Sequence, residues 1–295
     1  MNTASHVMTP AADAQESATD AWTAFWADPE QSRCAAGAPA IWQALATHWV
    51  SLSRSLAQGT PVLDLGCGAG VVGRLLVGAR PDLRVTGVDS AKIPSAKHSQ
   101  LELLSHTKME FLPFQERRFG AMVSQFGYEY SRIEATTREI ARVLAPGARI
   151  SFLVHHADSA IVASTRARLD VIHALLGPAM RTAFCSGDAA YFNAQMRALI
   201  EKHAQDALIA HLAQALPPRL GNTTEKRIAT WVAIEEALAP ERCVSETLSA
   251  CCVSASQIDE WSGPLRSVCQ LLPVSVLREP NGDPIAWKLE GVRAF

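Results

Sequence analysis

The sequence has almost no excess charge of either sign and no cysteine spacing typical of a metal or disulfide site. Its 27 basic and 29 acidic residues leave a formal net charge of −2 over 295 residues. Proteins that bind nucleic-acid phosphates by charge alone usually carry a positive field, so nucleic acid is disfavoured as a partner. The seven cysteines contain no C-x-x-C pair, so we expect no metal site and a reducing, cytoplasmic location.

The chain also lacks a long apolar run and a leader-like beginning. No stretch approaches the about 20 apolar residues that a membrane-spanning helix needs, so we expect no membrane partner. Residues 1–20 are rich in Ala, Ser and Thr and have neither a basic nor an apolar segment of a signal peptide. They also lack periodicity, and we expect a mobile N-terminus there. The remaining chain, with 48% hydrophobic residues overall, can bury a sizeable core.

From residue 61 onward, short apolar runs alternate with helical stretches. This pattern is typical of a parallel sheet wound by crossover helices. The predicted strands are 61–65, 83–88, 100–105, 120–125 and 148–154. Two further strands, 270–277 and 284–293, are joined by a turn and predict an antiparallel edge.

The block between these two groups of strands is rich in Ala and Leu and predicts helices. Apolar residues three and four apart predict one helix over 196–216, which Pro217 ends. A second helix is predicted to begin near Asn222 and to end before Pro240, because proline cannot continue the hydrogen-bond ladder.

The strongest local signal is a glycine-rich turn after the first strand. Glycines in the run Gly66-Cys67-Gly68-Ala69-Gly70 would let a ligand approach the backbone. The spacing of Gly68, Gly70 and Gly73, with Asp89 further on, also fits a dinucleotide fingerprint, so spacing alone leaves two kinds of cofactor open. Asp64, two residues before the first glycine, disfavours a pyrophosphate and favours a ligand that carries an ammonium group.

The run VLDLGCGAG at 62–70 resembles motif I of the class I S-adenosylmethionine (SAM) dependent methyltransferases. Further family-like pieces follow in order: Val88-Asp89, the 112–114 LPF of the ubiquinone/menaquinone-biosynthesis type, 119–125 and 139–147. The resemblance covers about residues 42–154. It implies a Rossmann-like, seven-stranded α/β sheet with SAM as cofactor and a helical insertion between the fifth and sixth strands.

The resemblance also implies a domain plan. We expect a SAM-binding core with N-terminal helices over 21–157, a helical insertion over 158–264, and the last two strands of the core over 265–295. Insertions at this place would lie above the methyl group, so we expect a substrate lid. The same apolar helices could instead form a homodimer interface.

The site implied by the resemblance lies at the ends of the strands. Trp26 and Arg33 are weaker candidates for cofactor contact, since family members often fold an N-terminal helix over the cofactor. The acid that often precedes LPF is absent, and Glu110 is the nearest carboxylate. The expected cofactor residues are Asp64, Gly66, Cys67, Gly68, Gly70, Asp89, Ser90, Met109, Glu110, Phe111, Gln125 and Phe126.

Candidate catalytic residues follow the fourth and fifth strands, where open α/β sheets place their ligands. They are Tyr128, Glu129, His155 and His156. The two histidines are neighbours on a strand, so they cannot both face one site, and each candidate could instead serve only packing.

The function expected from these features is methyl transfer to an O, N or C atom of a small organic substrate, because the helical block suggests an apolar cavity. Two alternatives stay open. The protein could methylate RNA or protein, or it could be a catalytically silent SAM-fold protein that binds a partner.

Overall fold

A computed structural model describes residues 12–27, 39–95, 98–203 and 207–294. The described chain forms two compact units: one contains the residues up to Ala163 and from Thr247 onward, and the other is Ser164–Glu246. We describe each unit by itself. The insertion limits expected from the sequence, 158–264, are wider than the second unit and stay a prediction. No helix within the described residues is long and apolar enough to cross a membrane.

The first unit contains the sheet. Its strands are β1 (Pro61–Leu65), β2 (Arg84–Val88), β3 (Leu101–Leu104), β4 (Phe119–Gln125), β5 (Leu144–His155), β6 (Cys269–Leu271), β7 (Ser275–Arg278) and β8 (Pro284–Arg293). Its helices are α1 (Ala12–Ala27), α2 (Pro39–Ser55), α3 (Val71–Ala79), α4 (Ile133–Val143), α10 (Ile258–Trp261) and α11 (Gly263–Arg266), with a 3-10 turn at Tyr128–Tyr130.

The strand order is β3-β2-β1-β4-β5-β8-β6, and β7 also pairs with β8. Strands β1 to β5 are parallel, whereas β8 runs antiparallel to β5, β6 and β7. The chain winds outward from β1 through β2 and β3, then returns to the other side of β1 as β4. Ligands of open α/β sheets bind at such a reversal, beyond the carboxyl ends of the strands. The Rossmann-like α/β fold expected from the sequence is confirmed.

Both faces of the sheet are covered, which explains why its strands are almost continuously apolar. Successive residues of β1 point to opposite faces. Val62 packs into a core with α2 and α3. Leu63 and Leu65 pack into a second core with α4 and β8.

The C-terminal edge differs from the prediction of one strand over 270–277. The structure has two short strands, β6 and β7, so the described sheet has eight strands. Pro273 lies in the break between them and has no N–H to donate to β8. The neighbouring Leu272 amide still donates to the Glu290 carbonyl at 2.8 Å, so the edge follows β8 across the interruption.

The second unit is helical, as expected. It contains α6 (Pro178–Ser186), α7 (Ala189–Lys202), α8 (Ala207–Ala215) and a 3-10 turn (Pro217–Gly221). Helices α5 (Ala160–Leu175) and α9 (Thr224–Cys251) contribute most of their length to it. Phe184, Phe192 and Trp231 are at the centre of its core.

Two helix predictions in this unit were wrong. The single helix over 196–216 is two helices, because α7 ends at Lys202 and α8 begins at Ala207. Met196 of α7 and Leu212 of α8 are buried in the same core. The apolar residues of two separate helices therefore looked in the sequence like one continuous helical face. Helix α9 also continues through Pro240, where buried Leu238 and Val244 stabilise it on either side.

The mobile N-terminus expected over 1–20 stays a prediction, and the structure places residues 12–20 in α1, which begins at Ala12. Residues 1–11 lie outside the described residues. Ala21 and Trp26 of α1 are buried, and the hydroxyl of Thr23 accepts a hydrogen bond from the Lys92 amide at 3.0 Å. Helix α1 is thus held by contacts distant in sequence, which periodicity cannot reveal.

Candidate functional site

The glycine-rich turn lies at the carboxyl end of β1, in the loop that leads into α3. Gly66, Gly68 and Gly70 all have positive φ values, of 64°, 49° and 76°. A Cβ on Gly66 would lie 2.8 Å from the Gly127 Cα. The loops after β1 and β4 therefore touch through their backbones, which only glycine at 66 permits.

Asp64 places a buried carboxylate beneath this turn. It is 1% exposed, and neither oxygen accepts a hydrogen bond of normal geometry from a described residue. Burial, and then the charge of Asp89, raise the pKa of Asp64 to about 8, although the nearby Gly73 amide offsets part of the shift. A buried carboxylate without donors is costly. A cationic N–H group that reached Asp64 would remove this cost.

Asp89 follows β2 and links its loop to the glycine turn. Its Oδ2 accepts the Gly68 amide and its Oδ1 accepts the Ala91 amide, each at 2.9 Å. Burial raises the pKa of Asp89. Each oxygen accepts one of these two hydrogen bonds and keeps a lone pair for a further donor. Ser90, beside it, is half-buried.

Helix α1 covers the glycine turn with aromatic side chains. A Cβ on Gly68 would overlap the Trp26 ring, so this ring lies directly against the turn. Trp22 stacks on Trp26 with ring centroids 6.0 Å apart and meets the Tyr130 ring edge-on at 5.3 Å. The Trp26 ring therefore lies beside the turn at which the cofactor is expected to bind, and its contact with the cofactor stays a prediction. Arg33, the other weak candidate, lies outside the described residues.

Cys67 belongs to the same turn but packs against β2. A Cβ on Gly87 would lie 2.7 Å from its sulfur. Burial raises the pKa of the Cys67 thiol well above its usual value, which disfavours a thiolate nucleophile. Its role is to fill space between the turn and β2.

Three neighbouring residues that were expected to contact the cofactor, Met109, Glu110 and Phe111, have different surroundings. Met109 reaches the glycine turn, since its Cε lies 3.2 Å from a Cβ built on Gly66. Glu110 is buried and accepts the Arg132 amide at 2.9 Å. Phe111 is 70% exposed and carries the Arg132 guanidinium 5.8 Å from its ring centroid. Only Met109 contacts the turn directly.

Gln125 and Phe126, at the end of β4, point to different places. The Gln125 Oε1 accepts the Trp49 indole N–H at 2.6 Å, so the side chain belongs to the contact with α2. The cofactor role of Gln125 stays a prediction. Phe126 has a φ of 56° and stacks on the His155 ring with a centroid distance of 4.1 Å.

Glu129 and His155 form a buried pair at the ends of β4 and β5. The Glu129 Oε1 accepts the His155 backbone amide at 2.9 Å and lies 2.8 Å from the His155 Nδ1. A carboxylate can only accept here, so Nδ1 carries the proton and Nε2 of a neutral His155 has a free lone pair. Within the described residues, neither Nε2 of His155 nor Oε2 of Glu129 has a hydrogen-bond partner.

The side chains of Tyr128 and His156 have partners outside this pair, and their catalytic roles stay predictions. The Tyr128 hydroxyl shares a hydrogen bond of 2.9 Å with Thr137, and burial raises the pKa of the phenol. His156 stacks on Trp287 at 4.3 Å on the opposite side of β5, and burial lowers its pKa. The expectation that the two histidines face different ways agrees with this arrangement.

Sequence reasoning missed the segment that covers the end of β5. The Val253 amide donates to the His155 carbonyl at 2.9 Å, and the Val253 carbonyl accepts the Trp287 indole N–H at 2.8 Å. Burial, and then the charge of Glu129, raise the pKa of the nearby Cys251 thiol to about 12. No sequence signal marked this segment, because it follows a long helix without a motif of its own.

Part of the chain is similar to a known protein family. Residues 62–147 match a family model described as "Methyltransferase domain". This match covers less than a third of the chain, and it contains residues 62–65 of β1, strands β2 to β4, the glycine turn, Asp89 and Glu129. No curated protein matches the chain.

Similar solved structures include 1,6-didemethyltoxoflavin-N1-methyltransferase from Burkholderia thailandensis, with bound 1,6-didemethyltoxoflavin and S-adenosylhomocysteine (SAH). It is 13% identical, the match covers 100% of this chain and 99% of that one, and the TM-score is 0.51. This likeness shows the shared fold.

Two others are more distant in structure. The N-methyltransferase NodS from Bradyrhizobium japonicum WM9, in complex with SAH, is 14% identical, with coverages of 94% and 98% and a TM-score of 0.47. A methyltransferase complex with the Trm112 activator from Haloferax volcanii is 25% identical, with a TM-score of 0.35. That match covers 38% of this chain and only 52% of the other.

Proposed function

We propose that the protein is a SAM-dependent methyltransferase, of the EC 2.1.1 class, that methylates a small organic substrate. The observation that carries the proposal is the buried Asp64 carboxylate beside a side-chain-free turn at the end of β1. The methionyl ammonium of SAM is a donor of the kind that this carboxylate lacks. A pyrophosphate would instead bring a negative charge toward Asp64.

The other cofactor contacts follow from the same loop ends. Asp89 would accept the ribose hydroxyls with its remaining lone pairs, and the ligand would approach the turn at Gly68, where the Trp26 ring now lies. Met109 and Phe126 would supply apolar contacts near the turn. Cys67, Ser90, Glu110 and Phe111 stay as weaker candidates from the sequence.

When bound, SAM supplies an electrophilic methyl group on a sulfonium. The protein's task is to align the acceptor with that methyl group and to exclude water. The aromatic cluster of Trp22, Trp26 and Tyr130 can exclude water above the turn. The Nε2 lone pair of His155 can take a proton from the acceptor, and the Glu129 carboxylate stabilises the imidazolium that forms.

A small-molecule substrate is the finer part of the proposal. It is supported by the net charge of −2, which disfavours RNA. The B. thailandensis and NodS proteins, both named as N-methyltransferases, are similar in fold, and the former holds a small molecule. The ubiquinone/menaquinone-type likeness rests on the LPF at 112–114 alone. We also propose a cytoplasmic protein whose helical insertion is a substrate lid, with a homodimer interface as the alternative.

The test is a transfer assay with methyl-labelled SAM and the full-length protein against pools of small molecules, RNA and protein. We expect label in the small-molecule pool and its loss in Asp64→Asn. Label in RNA or protein instead would contradict the substrate class. SAM binding without transfer to any pool would favour a silent binding protein.

A further inference from the structure

The side-chain amide of Gln125 has hydrogen-bond donors that the proposed function leaves unused. Its Oε1 accepts the Trp49 indole N–H at 2.6 Å. Because an indole nitrogen can only donate, this bond fixes which amide atom is the oxygen, and the NH2 group lies on the other side of the amide. Within the described residues this NH2 group has no acceptor. Polar groups of buried side chains are nearly always paired, so an unpaired donor calls for an incoming acceptor.

The unpaired amide nitrogen can be reached from outside the protein. Gln125 is 8% exposed, and its nitrogen does not belong to the polar atoms that are both without a partner and sealed from solvent. The same holds for Nε2 of His155, whereas Oε2 of Glu129 is sealed. A ligand can therefore meet the amide of Gln125 and Nε2 of His155, one of which donates while the other accepts.

Gln125 and His155 lie on the same face of two neighbouring strands. Strands β4 and β5 are parallel and pair Gln125 with Leu153. His155 is two residues further along β5, and side chains alternate between the two faces of a strand. Leu153, and Ala286 opposite His155 on β8, both pack into the core that contains α2. The rise of two residues and the spacing of two strands put the Cβ atoms of Gln125 and His155 about 8 Å apart. This separation suits two polar atoms of one small molecule.

We propose that Gln125 selects the substrate by donating an amide N–H to a carbonyl oxygen of the methyl acceptor, while Nε2 of His155 receives the acceptor's O–H or N–H. The inference rests on the proposed function, and it assigns to the substrate a residue that the sequence predicted as a cofactor contact. Within the described residues, no lysine or arginine bonds to Gln125 or His155. An uncharged donor alone favours a neutral carbonyl over a carboxylate, which charged donors bind more strongly. The Phe126 ring, stacked on His155, supplies an apolar surface beside both groups.

Titration calorimetry of the full-length protein, with and without SAH, tests the inference with two phenols as probes. 4-Hydroxyacetophenone has a hydroxyl group for His155 and a ketone oxygen for Gln125. 4-Ethylphenol has the same ring and hydroxyl group but no ketone oxygen. The two phenols also differ in acidity, so the quantity compared between native and variant protein is the ratio of their dissociation constants. We expect the native protein to prefer 4-hydroxyacetophenone.

Gln125→Met removes the donor and keeps an unbranched side chain. We expect the preference for 4-hydroxyacetophenone to fall about fivefold, the effect of one hydrogen bond, with the SAH affinity unchanged. Because this variant leaves the Trp49 N–H without an acceptor, the double variant Trp49→Phe/Gln125→Met, in which neither partner is polar, is measured as well. Gln43→Met, on the exposed face of α2, is the matched control and should keep the native preference.

An unchanged preference in both Gln125 variants, or binding of neither phenol to the native protein, would overturn the inference. A fall in SAH affinity with the preference intact would return Gln125 to the cofactor site and overturn it too. SAH binding to the native protein reports on the proposed function itself, so a failure of that function is seen separately in the same titrations.

Discussion

Gly66 has a left-handed backbone conformation and also lies directly against the backbone of Gly127. Its φ is 64°, and a Cβ there would lie 2.8 Å from the Gly127 Cα. Gly147 has a similar φ of 74° but nothing within 4 Å of the position of a Cβ. The two glycines therefore separate the cost of an unusual φ from the cost of a steric clash.

We expect Gly66→Ala to lower the free energy of unfolding by about 3 kcal/mol and Gly147→Ala to lower it by about 1 kcal/mol. Both variants place an alanine in the left-handed region, but only the alanine at 66 must also displace the backbone at Gly127. Urea denaturation of both variants measures this. Equal losses would mean that the contact between the loops after β1 and β4 is not rigid.

At the residue scale, positions could be predicted where a strand and its motif fixed them, but side-chain directions could not where a turn decided them. Asp64 lies near the end of the predicted strand 61–65 and Asp89 directly follows the predicted strand 83–88, so their positions at the sheet edge followed from the sequence. Tyr128 and Glu129 are consecutive in a 3-10 turn, which turns the tyrosine into the core and the glutamate toward His155. That geometry depends on the contact with β5, which the sequence does not encode locally.

At the scale of elements, α1 is the piece that the sequence described least well. Its aromatic side chains pack against the glycine turn and the loop after β4, both of which are distant from α1 in sequence. The Trp26 ring lies against Gly68, where the proposed cofactor must approach the backbone. Cofactor binding should therefore move this ring.

Intrinsic fluorescence can test this movement. We expect SAH to change the tryptophan emission of the native protein, and Trp26→Phe to remove most of that change, because the ring at the turn reports the ligand. Trp42→Phe, on α2, is the matched control and should keep it. A full response in Trp26→Phe would show that Trp26 stays where it is.

Helix α9 shows a second limit of local signals. Proline usually stops a helix, yet Pro240 lies inside α9. Burial of apolar residues before and after it outweighs the missing hydrogen bond. In contrast, the strands of the parallel sheet were predicted to within a few residues, because burial on both faces leaves a continuous apolar signature.

At the scale of the whole chain, the sheet order brings the separate candidate residues to one edge. β1 lies between β2 and β4, so the ends of these strands present Asp64, Asp89 and Glu129 along the same edge. Alternation of strands and helices was sufficient to predict this layout. The packing of the helices within the second unit depends on contacts that periodicity does not report.

The central proposal, that Asp64 receives the ammonium group of the cofactor, also implies a proton exchange. Because the pKa of Asp64 is raised to about 8, its carboxyl is mostly protonated at pH 7 in the free protein. An ammonium group favours the ionised form, so binding should lower that pKa and release a proton. Protons therefore leave on binding between the lowered pKa of Asp64 in the complex and about pH 8, and the release vanishes as the pH rises above about 8.

Titration calorimetry of SAH binding, at pH 7 in buffers with different ionisation heats, tests that proposal most directly. We expect the native protein to bind SAH and release up to one proton, and Asp64→Asn to bind about tenfold or more weakly without that release. Absence of SAH binding to the folded native protein, or equal affinity and proton release in Asp64→Asn, would contradict it.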